Sequence, residues 1–411
     1  MKKYTNFKKE ILKDKVVKNA YNNLEPEFII IQKIIEKRIK SGLTQAQLAK
    51  KVGTKQSAIS RFEQGSYNPT ISFLNKITKK TFSFMVDKNN LPIFLRVFSY
   101  SILAFTFIFL ANNVLTIWFD WPGLKILFSH YGLFGFKKLS TPLEGAVINL
   151  AYIQLLFYFI SFIAVIYYVF RSINQTLETD AKILTNITAY LIRSAFWAVL
   201  IVGIADFLIS FLVVEKLAEP IFGEATKINL VIPTFRITFI HFPLILISFV
   251  IGYFTRSVGF IWLAVLVVGS EFLIVLSRFI FQYEQAFQGD LVRFWYAALY
   301  LFASAYALMH EGHVRVDVLY TGFSERKKAW TNAIGSFALG IPLCLIILFL
   351  GMGGKASIIN GPVISFEITQ QGSNGLYLLY LMAIYLAVFA VTMLIQFTSY
   401  FMSSSHKLLK N

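Results

Sequence analysis

Cysteine is almost missing from this 411-residue chain: Cys344 is the only one, and it sits inside an apolar run. One thiol excludes a disulfide framework and a cysteine-based metal site, and leaves Cys344 to be read as a small residue of the core or the lipid face. Charge is scarce as well. Only 15% of residues are Asp, Glu, Lys or Arg, while 56% are hydrophobic and 42 are Phe, which excludes an ordinary soluble globular domain. No HExxH spacing, nucleophile elbow or phosphate-cradling glycine loop occurs, so neither metal catalysis nor an ATP-driven pump is expected. Nor does the basic start, MKKYTNFKKEILKDK, contain the apolar core of a secretory signal, so the N-terminus is expected to stay in the cytoplasm.

What is present is a series of apolar runs from residue 93 onward, each near the roughly 20 residues that cross a bilayer as a helix. They do not alternate apolar and polar as a β-barrel would. Eight spans are expected, at about 93–118, 145–170, 190–215, 237–255, 257–281, 291–309, 331–352 and 375–402. The fourth is the weakest, because Pro243 interrupts it. Arg315, Arg326, Lys327 and Lys328 in the loop 310–330, with Lys407 and Lys410 after the last span, face loops holding only Lys355. That asymmetry favours an even number of spans with both ends inside. The first half cooperates less, since Lys125, Lys137, Lys138, Lys216, Lys227 and Arg236 fall in loops placed outside. Segment 122–138 reads as an amphipathic piece lying in the interface.

Charge divides the chain. Residues 1–92 hold 19 Lys+Arg against 7 Asp+Glu, a net of +12 out of the total +17. Within this head, SGL, VGT and GSYNP punctuate short helical patterns. Thr44 can cap a helix that turns Leu48 and Ala49 inward, and Gly53 leads to a second helix, beginning near Lys55, with Ile59 and Phe62 buried. This is the helix-turn-helix pattern. The stretch LTQAQLAKKVGTKQSAISRFEQGSYNPT resembles the phage-repressor-like helix-turn-helix family, most closely its antitoxin-type members. That resemblance implies that Lys55, Gln56, Ser57, Ser60 and Arg61 lie on a DNA-facing side, where Gln reads adenine and Lys and Arg position phosphates. A folded remnant or a protein-interaction module is the plainer reading, and the surplus basic charge also suits anionic lipid.

A second cluster follows the sixth run: MHEGHVRVDVLY, residues 309–320, places His310, Glu311, His313, Arg315 and Asp317 within eight positions. Metal-ligand spacing is absent. The plain reading is a loop between spans, but the alternation of Val314, Val316 and Val318 with polar residues suits an amphipathic segment along the interface. The wider stretch, with AYALMHEGHVRVDVLY and the later ISFEITQQGSNGL, resembles the small membrane subunit of tripartite ATP-independent periplasmic (TRAP) transporters, in the branch often labelled mannitol/chloroaromatic type, over about residues 257–402. What the resemblance implies is a partner rather than a catalyst. A large permease subunit carries an organic acid or similar solute on a sodium gradient, a periplasmic solute-binding protein delivers it, and the small subunit braces the assembly in the inner membrane without a cofactor of its own. His313, Arg315, Asp317 and Tyr320 then carry over as family motif, and Glu367, Ser373 and Asn374 as partner contacts in an outer loop.

Among the ionisable residues inside the spans, Asp206 and Glu271 are the clear cases, with Arg278 seven residues after Glu271. Such groups are costly in hydrocarbon, so each is expected either to join a packing contact between helices or to line an ion path. The whole reads as an all-α polytopic membrane protein in three parts. These are a helix-turn-helix head at 1–85, an extra block of about four helices at 86–255, and a four-helix TRAP small-subunit block at 256–411. Two rivals stand beside it. One is a membrane-tethered regulator using the head on DNA. The other is a self-sufficient secondary transporter, against which the spans lack paired broken helices.

Overall fold

The computed structural model describes residues 31–65 apart from 33, 37, 40 and 41, then 71–256, 260–310, 320–368 and 374–410. Among them the chain is helical throughout, with no strand. It separates into two compact units, Met1–Phe94 and Leu95–Asn411.

In the first unit, α1 (Gln45–Val52) opens on a capping box, with the Thr44 hydroxyl accepting from the Gln47 N–H and the Gln47 side chain returning to the Thr44 N–H. Gly53 ends it in the left-handed region, φ 75°, where a side chain would be strained. The chain then enters α2 (Gln56–Glu63). Leu48, Ala49, Ile59 and Phe62 close a small core with Ile31 and Ile34, as the sequence spacing requires. Arg38 locks the rear of α2 with a two-pronged ion pair to Glu63, 2.6 and 3.0 Å.

Among the described residues, eight helices are long and apolar enough to cross a membrane. They are the Leu91–Trp118 part of α3 (Ile71–Trp118), α5 (Gly145–Arg171), α6 (Leu177–Val214), α8 (Pro233–Phe254), most of α9 (Phe260–Phe281), α10 (Ala286–Met309), α11 (Glu325–Gly351) and α12 (Leu379–Lys410). Between spans lie α4 (Gly123–Tyr131), within the segment read as interfacial, and α7 (Glu224–Val231). α6 is the hub, packed on α8, α10 and α12. Close approach there relies on small residues. A Cβ on Gly252 of α8 would stand 2.5 Å from the Ser194 hydroxyl of α6, and one on Gly203 of α6 would stand 2.8 Å from the Trp295 indole nitrogen. α3 instead leans on α5 and α11 through aromatic pairs, including Tyr100–Tyr168 and Phe109–Phe349.

The fourth span differs from the sequence expectation, and the seventh shares its local geometry. Pro243 and Pro342 do not break their helices, because a π-turn precedes each: Ile237–His241 in α8 and Ser336–Gly340 in α11. The wider turn absorbs the amide hydrogen bond that proline cannot make. Helix α8 accordingly begins at Pro233 rather than near 237, which brings Arg236 out of its expected outer loop and into the span. At its start α12 is shorter than expected: residues 375–378 run ahead of the helix as a bent, non-helical approach.

Candidate functional site

Asp206 lies on α6 with no solvent exposure, eight residues before the helix ends. Its Oδ1 accepts from Arg236 Nη1 at 2.9 Å and stands 3.0 Å from His241 Nε2, both residues on α8. Five residues apart on an α-helix, those two side chains would diverge by about 140°. The π-turn between them, with bonds running from i to i+5, brings them back toward one line, so both reach the same oxygen. Arg236, itself buried, also donates to Ser210 Oγ at 3.0 Å and to the Leu230 carbonyl at 3.0 Å, and its guanidinium lies 3.8 Å from the centre of the Tyr377 ring. His241 Nδ1 meets the Tyr380 hydroxyl at 3.0 Å. A carboxylate, a guanidinium and an imidazole in an apolar bundle are tolerable only when they are paired and hydrogen-bonded, and here each contacts a polar partner.

The remaining oxygen of Asp206 has a different task. Oδ2 accepts the Tyr377 backbone N–H at 2.7 Å, and Asp290 Oδ2 on α10 accepts the neighbouring Leu376 N–H at 3.1 Å. Ser210 Oγ adds a bond to the Gly375 carbonyl. Two buried carboxylates and a hydroxyl thus hold the backbone of 375–377, while Asn374 immediately before it is exposed. Glu367 is exposed too, and its carbonyl accepts the Tyr380 N–H at 3.1 Å. Nearby, Tyr283 donates to Glu215 at 2.6 Å, and burial together with that carboxylate raises its phenol above the ordinary range. On the α7 side, hydrogen bonding to Lys227 holds the exposed Glu219 carboxyl below its usual value.

At the other end of the bundle Arg96 and Asp180, both buried, form an ion pair that Ser172 completes with its hydroxyl and carbonyl. Tyr320 accepts from Asn332 Nδ2 on α11 at 2.8 Å, and the same amide reaches Tyr400 of α12 at 3.2 Å. His313, Arg315, Asp317 and Ser373 lie outside the described residues.

The three intramembrane residues named from the sequence separate. Asp206 is paired; Arg278 pairs with Glu284 at 3.3 Å rather than with Glu271; Glu271 is exposed on α9. Arg236, His241 and Asp290 are the residues the sequence reading missed. For Arg236 and His241 the apolar surroundings in PTFRITFIHFPLILISFVIGYF called for a buried acceptor, but nothing in the sequence said which residue supplies it.

In the head, Lys55, Gln56, Ser57 and Arg61 are exposed along the start and outer side of α2, with Ser60 half-buried. Gln56 donates to Gln45 Oε1 at 3.0 Å, and Gln45 donates to Glu63, so the first turn of α2 presents an oriented amide. An exposed helix start with Gln, Ser and basic residues is suited to a nucleic-acid groove.

Residues 264–402 match the family of tripartite ATP-independent periplasmic transporters, DctQ component, and residues 34–81 match the helix-turn-helix family. The chain joins a DctQ-component domain to a helix-turn-helix domain. An uncharacterized HTH-type transcriptional regulator of Archaeoglobus fulgidus is 45% identical over 47 residues, which is 11% of this chain and 67% of that protein. No solved structure matches. Asp290, Tyr320, Asn332, Glu367, Asn374, Tyr377 and Tyr400 all fall within the DctQ-component domain, whereas Asp206, Arg236 and His241 precede it. Eight apolar helices and this domain fit a multi-pass inner-membrane protein.

Proposed function

We propose that this chain is the small membrane subunit of a TRAP transporter, in which the additional spans at 86–255 brace the outer loop of the domain at 256–411. The observation that carries the reading is the clamp on 375–377: Asp206 from the additional spans and Asp290 from the DctQ-component domain share one stretch of backbone. A loop whose base is fixed and whose Glu367 and Asn374 stay exposed is pre-organised for a partner, which lowers the ordering cost of docking. Its partners in this reading are a large permease subunit, which carries an organic acid or similar solute on a sodium gradient, and a periplasmic solute-binding protein. No cofactor is required of this chain, and its reaction is transport support rather than catalysis. Vesicles containing this chain alone should show no gradient-driven uptake, and the chain should copurify with the large permease subunit; uptake by the chain alone refutes the reading.

Orientation follows from the charges. With both termini cytoplasmic, Ser324, beside Arg326, Lys327 and Lys328, faces inside and Ser365 faces the periplasm. Single cysteines at these two exposed positions should react with a membrane-impermeant maleimide from opposite sides. Labelling of both in intact cells contradicts eight spans with both ends inside.

A second reading has its own support. The oriented Gln56 and the exposed basic start of α2 favour DNA binding by the head at 1–85, which makes the chain a membrane-tethered regulator, alone or in addition to its transport role.

A further inference from the structure

Glu271 stands nine residues from one end of its span and ten from the other, so it lies ~14 Å from either end, near the middle of the hydrocarbon. It is exposed on the surface of the bundle, and it makes no hydrogen bond or ion pair among the described residues. α9 is also the least buried of the eight spans and packs chiefly on α10, through Leu263, Val267 and Ile274. Its other sides offer Val268, Phe272, Leu273 and Phe279, all exposed. A carboxylate in that position faces lipid unless another chain supplies a donor, and lipid is a poor neighbour for it.

A second copy of this chain is a poor candidate for that donor. Among the described residues the cations of the spans are buried and paired, as Arg96 and Arg236 are, bonded to a carbonyl of the same bundle, as Arg193 is to Gly252, or near the ends, as Arg278, Arg293 and Lys182 are. Two copies meeting along α9 would oppose one Glu271 to the other. We propose that the Glu271 face of α9 is the seat of a helix from a different membrane chain, one that presents Lys, Arg or a side-chain amide at mid-membrane depth. Resting on the small-subunit reading above, the inference identifies that chain as the large permease subunit and Glu271 as the polar anchor of the interface. The flanking Phe272 and Phe279 supply apolar contact, while the carboxylate fixes depth and register, since sliding by one turn would leave two polar groups unmatched.

The test uses the full chain co-expressed with the large permease subunit. Recovery of the large subunit should fall about tenfold or more for Glu271→Leu, while Glu271→Gln, which keeps an acceptor, should retain most of it. Independently, dicyclohexylcarbodiimide should modify Glu271 of the wild-type chain alone in phosphatidylethanolamine/phosphatidylglycerol liposomes and spare it in the complex, as read by peptide mass spectrometry. Equal recovery with Glu271→Leu, or equal modification alone and in complex, overturns the inference and leaves the small-subunit reading intact. Failure of the wild-type chain to bind the large subunit, whatever stands at 271, overturns both.

Discussion

Asp206→Ala is expected to lower the stability of the membrane unit by about 3–5 kcal/mol, the cost of leaving a buried charge without its partner. The argument is specific to the side left behind. Arg236 is almost fully buried, and without Asp206 it keeps only Ser210, the Leu230 carbonyl and the Tyr377 ring. The Tyr377 N–H and His241 Nε2 lose their acceptor in the same step. Thermal unfolding in detergent micelles should show the drop, and a spin label at Asn374 should become more mobile, because the base of its loop has lost one of two carboxylate anchors. Asp206→Asn, retaining an acceptor for the backbone amide, should cost less. The double variant Asp206→Leu with Arg236→Met removes both charges and should recover most of the loss. A single variant that melts like the wild type, or a double variant worse than either single one, would show that the pair does not hold the loop.

Why this node escaped a reading of the sequence is a matter of helix geometry. The eight spans, the helix-turn-helix and the DctQ-like block are each set by local signals: runs of apolar residues, Thr44 and Gly53 at the ends of α1, and the HVRVDV stretch. Asp206 was visible as an ionisable residue in an apolar run, but its partners were not. Arg236 looked like a loop residue because the fourth span, itself weakened by Pro243, was expected to start at about 237. The π-turn that rescues the proline also aligns Arg236 with His241, and a π-turn leaves no pattern of its own in 3.6-residue periodicity. Asp290 was hidden differently. Its span was expected to start at 291, whereas Gln285 and Gln288 form a reciprocal cap that begins α10 at Ala286 and carries Asp290 into the bundle. Glu271 illustrates the opposite limit. Its depth was legible from sequence, but whether it turned inward depended on packing, and α9 turns it out.

The second large effect is expected in the head. Phe62 is buried in a core of few side chains and meets Phe73 edge to face at 6.0 Å. Phe62→Ala should cost about 3–5 kcal/mol, which equals or exceeds the whole stability of a domain this small, so the helix-turn-helix should unfold. The membrane unit should not follow, since the two units are separately compact. Tryptophan fluorescence separates them cleanly, because all six Trp lie at position 118 or later. Its melting curve should be unchanged in the Phe62→Ala chain, while binding to duplex DNA falls to what unfolded basic chain retains. Substitutions on the surface of α2 sort the remainder. Lys55→Ala should weaken every duplex alike and reduce the salt slope by about 1, whereas Gln56→Ala, removing an amide held in place by Gln45, should relax base preference. If Phe62→Ala binds DNA as tightly and with the same salt dependence as the wild type, the affinity comes from the net charge of +12 in residues 1–92 and not from a folded reading head. The basic segment then belongs to the membrane surface, and the regulator reading fails with it.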